Sequence, residues 1–159
     1  MVILGIDPGT QRIGYGVIKK DKGKLQFLAA GLLKVKSKDI KTALKEAHLS
    51  LQKLIQTWRP DVLATEKLFF AKNRKTALAV AQTRGVIMLT AAESGLPCLE
   101  YSPNEVKLGI TGYGKADKKA VAKMVRLALA VPELKALDDT TDALAIAILA
   151  GHTHRIFST

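Results

Sequence analysis

Val2-Ile3-Leu4-Gly5-Ile6-Asp7-Pro8-Gly9 opens the chain with an apolar, β-branched run that stops on an acid and two turn residues. Such a run has the composition of a buried strand, and Asp-Pro-Gly ends it. Two more strands follow at short range. Arg12 to Lys20 is the second, with Gly14 and Gly16 inside it. Asp21-Lys22-Gly23-Lys24 supplies a hairpin turn, and Leu25 to Lys36 is the third. Short turns between successive strands predict an antiparallel start to a sheet.

Beyond Lys36 the pattern changes from the strand repeat to the helical one. Ile40, Ala43, Leu44, Ala47, Leu51, Leu54, Ile55 and Trp58 share one helical face, with Asp39 or Ser37 as the cap. Arg59-Pro60-Asp61 breaks that helix. Asp61 to Glu66 is a fourth strand, Lys67 to Lys75 a basic loop, Thr76 to Glu93 an alanine-rich helix, and Pro97 to Tyr101 a fifth strand. Ser102-Pro103-Asn104-Glu105 carries the signature of a helix start. After a glycine-containing loop, Thr111 to Ala116, come helices at Asp117 to Ala130 and Asp139 to Gly151. Three strands and then alternating helices and strands predict an α/β protein: one mixed five-stranded sheet with helices on its faces. A single domain would span residues 1–154, with a frayed tail at 155–159.

The charge balance points to partners. Lys and Arg number 25 against 14 Asp and Glu, a net charge of +11. A surplus of that size favours polyanions, nucleic acid first and an anionic membrane surface second. The one cysteine, Cys98, excludes an intramolecular disulfide and suits a reducing cytoplasm. No segment approaches about 18 uninterrupted apolar residues, so no helix spans a membrane, and Met1 to Asp7 lacks the basic start of a signal peptide.

Against that background the acids stand out by position. Asp7 closes the first strand, and Glu66 closes the fourth just before a loop. One acid at a strand end explains itself as a turn cap; two such acids at neighbouring strand ends converge on one place. Asp139 and Asp142, three residues apart, share one face at the start of an apolar helix, Ala143 to Ala147. Complementing the helix dipole is the plain alternative for that pair, and Asp138, four residues from Asp142, shares the face equally well. Together these carboxylates form an all-oxygen set suited to Mg²⁺, with Mn²⁺ as a substitute. Two such ions could hydrolyse a phosphodiester.

Three motifs resemble the RuvC family of Holliday-junction resolvases. They are Gly5-Ile6-Asp7-Pro8-Gly9-Thr10 with Gly14-Tyr15-Gly16, then Glu66-Lys67-Leu68-Phe69-Phe70-Ala71-Lys72-Asn73, then Asp139-Thr140-Thr141-Asp142-Ala143-Leu144-Ala145. Their order and intervals match over essentially the whole chain. The resemblance implies an RNase H-like fold and a homodimeric endonuclease that makes paired, symmetric cuts in four-way junction DNA and works beside RuvA- and RuvB-type branch-migration machinery. It implies Asp7, Glu66, Asp139 and Asp142 as the catalytic and metal-binding acids, choosing Asp139 where spacing also allows Asp138. It further implies that Phe69 stacks on DNA near the crossover, with burial of Phe69 and Phe70 as the alternative, and that Lys107 and Lys118 touch the DNA backbone. Lys72, Arg74, Lys115 and Lys119 lie on loops flanking the acids and extend that basic set. Gly85, inside the alanine-rich helix, would let backbones approach at a dimer interface or within the core.

Two features mislead. Gly109 to Ala116 nearly spells a phosphate-binding loop, but Ala116 stands where Ser or Thr must follow the lysine, and a helix rather than a strand precedes it. His152 and His154 do not share a helix face and fit no zinc spacing. Two other readings compete with the nuclease: a junction-binding protein that does not cut, and a phosphate-handling domain of the actin-like fold.

Overall fold

The computed structural model describes residues 1–67, 74–134 and 138–154, residues 74–76 by backbone alone. Five strands form one sheet: β1 (Val2–Asp7), β2 (Arg12–Asp21), β3 (Lys24–Lys34), β4 (Val62–Glu66) and β5 (Cys98–Tyr101). Their spatial order is β3-β2-β1-β4-β5. The first three strands are antiparallel neighbours, as their short turns predict, whereas β4 and β5 run parallel to β1. Among the described residues there are five helices: α1 (Ile40–Trp58), α2 (Arg74–Glu93), α3 (Pro103–Thr111), α4 (Lys118–Leu129) and α5 (Asp138–Thr153).

Strand alternation sorts the core into two layers. Leu4 and Ile6 of β1 and Leu63 of β4 point to one face, where they pack with Leu51, Leu54 and Ile55 of α1 and Ile87 and Ala91 of α2. Ile3 of β1 and Val62 and Ala64 of β4 point to the other, beneath α3, α4 and α5. Helix α5 is buried on nearly every side from Ala143 to Gly151, as a helix sandwiched between a sheet and two further helices must be.

Glycine makes that burial possible. A Cβ at Gly5 would overlap the Ala143 carbonyl, one at Gly14 the Asp139 carbonyl, and one at Gly16 would come within 2.7 Å of the Leu144 side chain. The helix therefore lies directly on strand backbone. Arg12, Gly14, Gly16, Ile18 and Lys20 all face it along β2. Arg12 pairs with Asp139 at the start of α5, and the Lys20 ammonium donates to the Gly151 carbonyl near its end.

Element ends differ from expectation by a few residues. Strand β3 stops at Lys34 because the next amides are taken elsewhere: Val35 N donates to Gln11 O, and Lys36 N to the Glu46 carboxylate. Asp39, not Ser37, caps α1, accepting from Thr42 N at 2.9 Å. Helix α2 begins at Arg74 rather than Thr76, so Arg74 and Lys75 belong to the helix and not to the basic loop. Helix α5 takes in Asp138 and continues to Thr153. The tail at 155–159 lies outside the described residues. Among the described residues no helix is long and apolar enough to cross a membrane.

Candidate active site

Asp7 is the last residue of β1 and Glu66 the last of β4. The two strands are parallel, and Ile6 is in register with Thr65, so both carboxylates reach the same edge of the sheet. Alternation turns both toward α5, since Ile3, Gly5 and Asp7 share a face, as do Val62, Ala64 and Glu66. Helix α5 runs alongside β2, whose Gly14 is in register with Asp7. Its N-terminal end, with Asp138 and Asp139 in the first turn and Asp142 one turn on, is therefore set down over that edge.

The acids act on one another electrostatically. Burial, then Asp142, Glu66 and Asp139 push the Asp7 carboxyl up to about 7, against the pull of Lys118. Burial and Asp142 raise Glu66, while Lys107 of α3 and Lys118 hold it down. Asp142 is raised by burial and then by Asp138 and Asp139, with Lys118 opposing. Desolvation and like charge both favour the proton over the anion.

Besides Lys107, two cations form ion pairs with the cluster. Lys118, the first residue of α4, stands 3.7 Å from both Asp138 and Asp142. Arg12 lies 3.1 Å from Asp139. The two candidates for the first acid of α5 are now distinct. The Asp138 side chain is 79% exposed and pairs with Lys118, whereas the Asp139 side chain is 33% exposed and acts on Asp7.

An all-carboxylate donor set, partly buried and mutually repelling, is what a hard divalent cation neutralises. Among the described residues no three acids, histidines or cysteines are drawn together tightly enough to enclose an ion.

The remaining site residues divide. Lys107 and Lys118 both act on the acids. Lys115 is exposed in the loop after α3, whereas Lys119 is exposed on α4 and not on a loop, and among the described residues neither pairs with one of the four acids. Lys115 lines a cleft of about 450 Å³ together with Asn104, Glu105, Leu108, Tyr113 and Gly114. Its loop follows α3, and Gly112 caps that helix in the left-handed conformation (φ 76°). The segment is a helix end and not a strand-to-helix phosphate loop. Phe69, Phe70 and Lys72 lie outside the described residues, and Arg74 opens α2. Sequence reasoning missed Arg12. The available signal was its place two residues before Gly14, on the same face of β2.

Central strands that end in carboxylates, crossed by a helix that adds more, in the order β3-β2-β1-β4-β5, define an RNase H-like nuclease fold. The family model for crossover junction endodeoxyribonuclease RuvC matches residues 3–151. Crossover junction endodeoxyribonuclease RuvC of Heliobacterium modesticaldum is 46% identical over 154 residues, 96% of this chain and 95% of that one. Its namesake from Syntrophomonas wolfei is 41% identical over 159 residues, 99% of this chain and 92% of that one. The structure of Thermus thermophilus RuvC in complex with Holliday junction substrate superposes with a TM-score of 0.86 at 33% identity, covering 94% of this chain and 92% of that one. The chain belongs to the RuvC family.

Proposed function

We propose that this chain is an endonuclease that resolves four-way DNA junctions by paired hydrolytic cuts, in recombination and repair. The observation that carries the reading is the meeting of Asp7, Glu66, Asp139 and Asp142 at one sheet edge in a chain of net charge +11. RuvC-family nucleases are metal-dependent. Here the four acids would hold Mg²⁺, with Mn²⁺ as a substitute and two ions per site. Bound there, the ions would supply an activated water and offset the negative charge that builds on the phosphate. Water oxygen adds to phosphorus, the P–O3′ bond breaks, and the product carries a 5′-phosphate and a 3′-hydroxyl.

The protein's own groups do the positioning. Lys107 and Lys118 neutralise phosphate beside the acids, with Lys72, Arg74, Lys115 and Lys119 extending the basic track. Phe69 offers an aromatic face to an unpaired base near the crossover. Asp139, which acts on Asp7, is the fourth acid in this reading, and Asp138 a surface partner of Lys118.

Paired cuts need two copies. Leu78 and Leu89 of α2 are 68% and 56% exposed, with Gly85 between them on the outer side of the helix. A Cβ at Gly85 would meet nothing within 4 Å, so packing inside the chain does not account for it. That face supports a homodimer built on α2. RuvA- and RuvB-type machinery would deliver the junction, in the cytoplasm.

The test is a labelled four-way junction incubated with and without Mg²⁺. Paired nicks that disappear in Asp7→Asn while junction binding persists are expected. Binding without cleavage in Mg²⁺ or Mn²⁺ would instead make the chain a junction-binding protein that does not cut. Nucleotide turnover without DNA affinity would return it to the actin-like alternative.

A further inference from the structure

The acids reach the site by different routes. Asp7 and Glu66 are fixed by their strands, but Asp139 depends on where the first turn of α5 is set down. Two observations place that turn on β2. A Cβ at Gly14 would overlap the Asp139 carbonyl oxygen and approach its carbonyl carbon to 2.6 Å and its own Cβ to 3.2 Å. The space above Gly14 is thus filled by the backbone of Asp139 itself. Two residues earlier on the same face, Arg12 reaches the Asp139 carboxylate at 3.1 Å. Backbone and side chain of Asp139 are both seated on the first residues of β2.

We propose that Gly14 is a positioning residue for the acidic site: its missing side chain sets the depth at which Asp139 stands beside Asp7. Gly14 is in register with Asp7 on the neighbouring strand, so its surface is the floor between the two acids. Any side chain at this position lifts the start of α5 and carries Asp139 away from Asp7. Gly16 is the internal comparison. It supports the same helix, but a Cβ there meets the Leu144 side chain, at 2.7 Å and 2.8 Å, and only then its Cα. A flexible side chain can turn aside, whereas a carbonyl in a helix's first turn moves only with the helix.

This inference rests on the reading of the acids as a metal site, and the experiment separates the two. Mn²⁺ binding to the purified protein without DNA is measured by calorimetry for wild type, Gly14→Ala and Gly16→Ala, with thermal melting of each. Both variants should melt below wild type. Gly14→Ala alone should weaken Mn²⁺ binding, by about tenfold, the scale on which disturbing a ligand's support acts, while Gly16→Ala stays within about twofold of wild type. Equal Mn²⁺ affinities in Gly14→Ala and wild type would overturn the role of Gly14 and leave the metal site standing. Failure of wild type to bind Mn²⁺ would remove the metal site and this inference with it. A second measurement needs no variant. On adding Mg²⁺, the backbone resonances of residues 12 and 14 in wild type should shift together with that of Asp139, while Gly109, under Leu149 near the far end of α5, stays still. Unmoved resonances at 12 and 14 would also overturn the proposal.

Discussion

Replacing Asp7 by Asn should stabilise the metal-free protein, and the gain should grow with pH. The Asp7 carboxyl titrates at about 7 in the fold against 3.8 in the unfolded chain, because it is buried and faces Asp142, Glu66 and Asp139. A raised folded-state value means that the native protein holds its proton more tightly than the unfolded chain does. The stabilisation from this group is therefore fully present below about pH 4 and is lost as pH rises through about 7. The difference of about three pH units corresponds to about 4 kcal/mol at 1.36 kcal/mol per unit, a ceiling that water reaching the sheet edge will lower. Asn keeps the shape of the protonated acid and cannot ionise.

Urea melts in EDTA at pH 4, 6 and 8 measure this directly. The variant should match wild type at pH 4, exceed it at pH 6, and exceed it by about 2–4 kcal/mol at pH 8. Mg²⁺ at pH 8 should then reverse the ranking, since a ligand that binds only the native state stabilises in proportion to its occupancy. An advantage that does not change between pH 4 and pH 8, or a variant less stable than wild type at pH 8, would refute the account of Asp7 as a desolvated member of a repelling cluster.

Two further substitutions probe other parts of the molecule. Ala130 caps α4 in the left-handed region (φ 54°), where a Cβ is strained; Ala130→Gly should raise stability by about 0.5–1 kcal/mol in a urea melt, cleavage being unchanged. Lys115 is exposed and holds none of the four acids, so Lys115→Ala should weaken junction binding and reduce the salt dependence of log K by about one, without altering cleavage at saturating protein.

Much of this was legible in the sequence because the governing patterns are local. Short apolar runs marked β1 and β4, turn residues on either side marked β2, and the helical face from Ile40 to Trp58 marked α1. Asp7 and Glu66 could be paired in advance because both close apolar strands, and parallel neighbours bring such ends together. Asp138 and Asp139 could not be told apart, because helical spacing serves both and the difference is tertiary. Asp139 lies over Gly14 beside Arg12, while Asp138 turns outward to Lys118. Gly14 and Gly16 were visible as letters in a motif. Their role is to let a helix rest on backbone, and no pattern within β2 states that α5, more than a hundred residues later, will lie there. Lys118 was assigned to DNA alone for the same reason, since its nearness to Asp142 arises only when α4 packs on α5.

The chain must therefore reconcile two opposed demands at one edge of the sheet. Binding DNA requires excess positive charge, and the proposed chemistry requires carboxylates brought together against their repulsion. Separation along the chain would not achieve this, because both groups must meet the same phosphate. The structure places the acids on two inner strands and a helix packed on backbone, and burial and repulsion there raise the affinity of Asp7, Glu66 and Asp142 for protons. The lysines stand on α3 and α4, which flank α5 on the same face. Lys107 and Lys118 act on the acids from there, and in the proposed reading they would turn to phosphate when DNA binds. On this argument the cluster costs stability in the metal-free protein, and a cation or a proton recovers it. That is why the pH dependence of Asp7→Asn and the Mn²⁺ affinity of Gly14→Ala address the same site from opposite sides, one by relieving the repulsion and the other by moving its source.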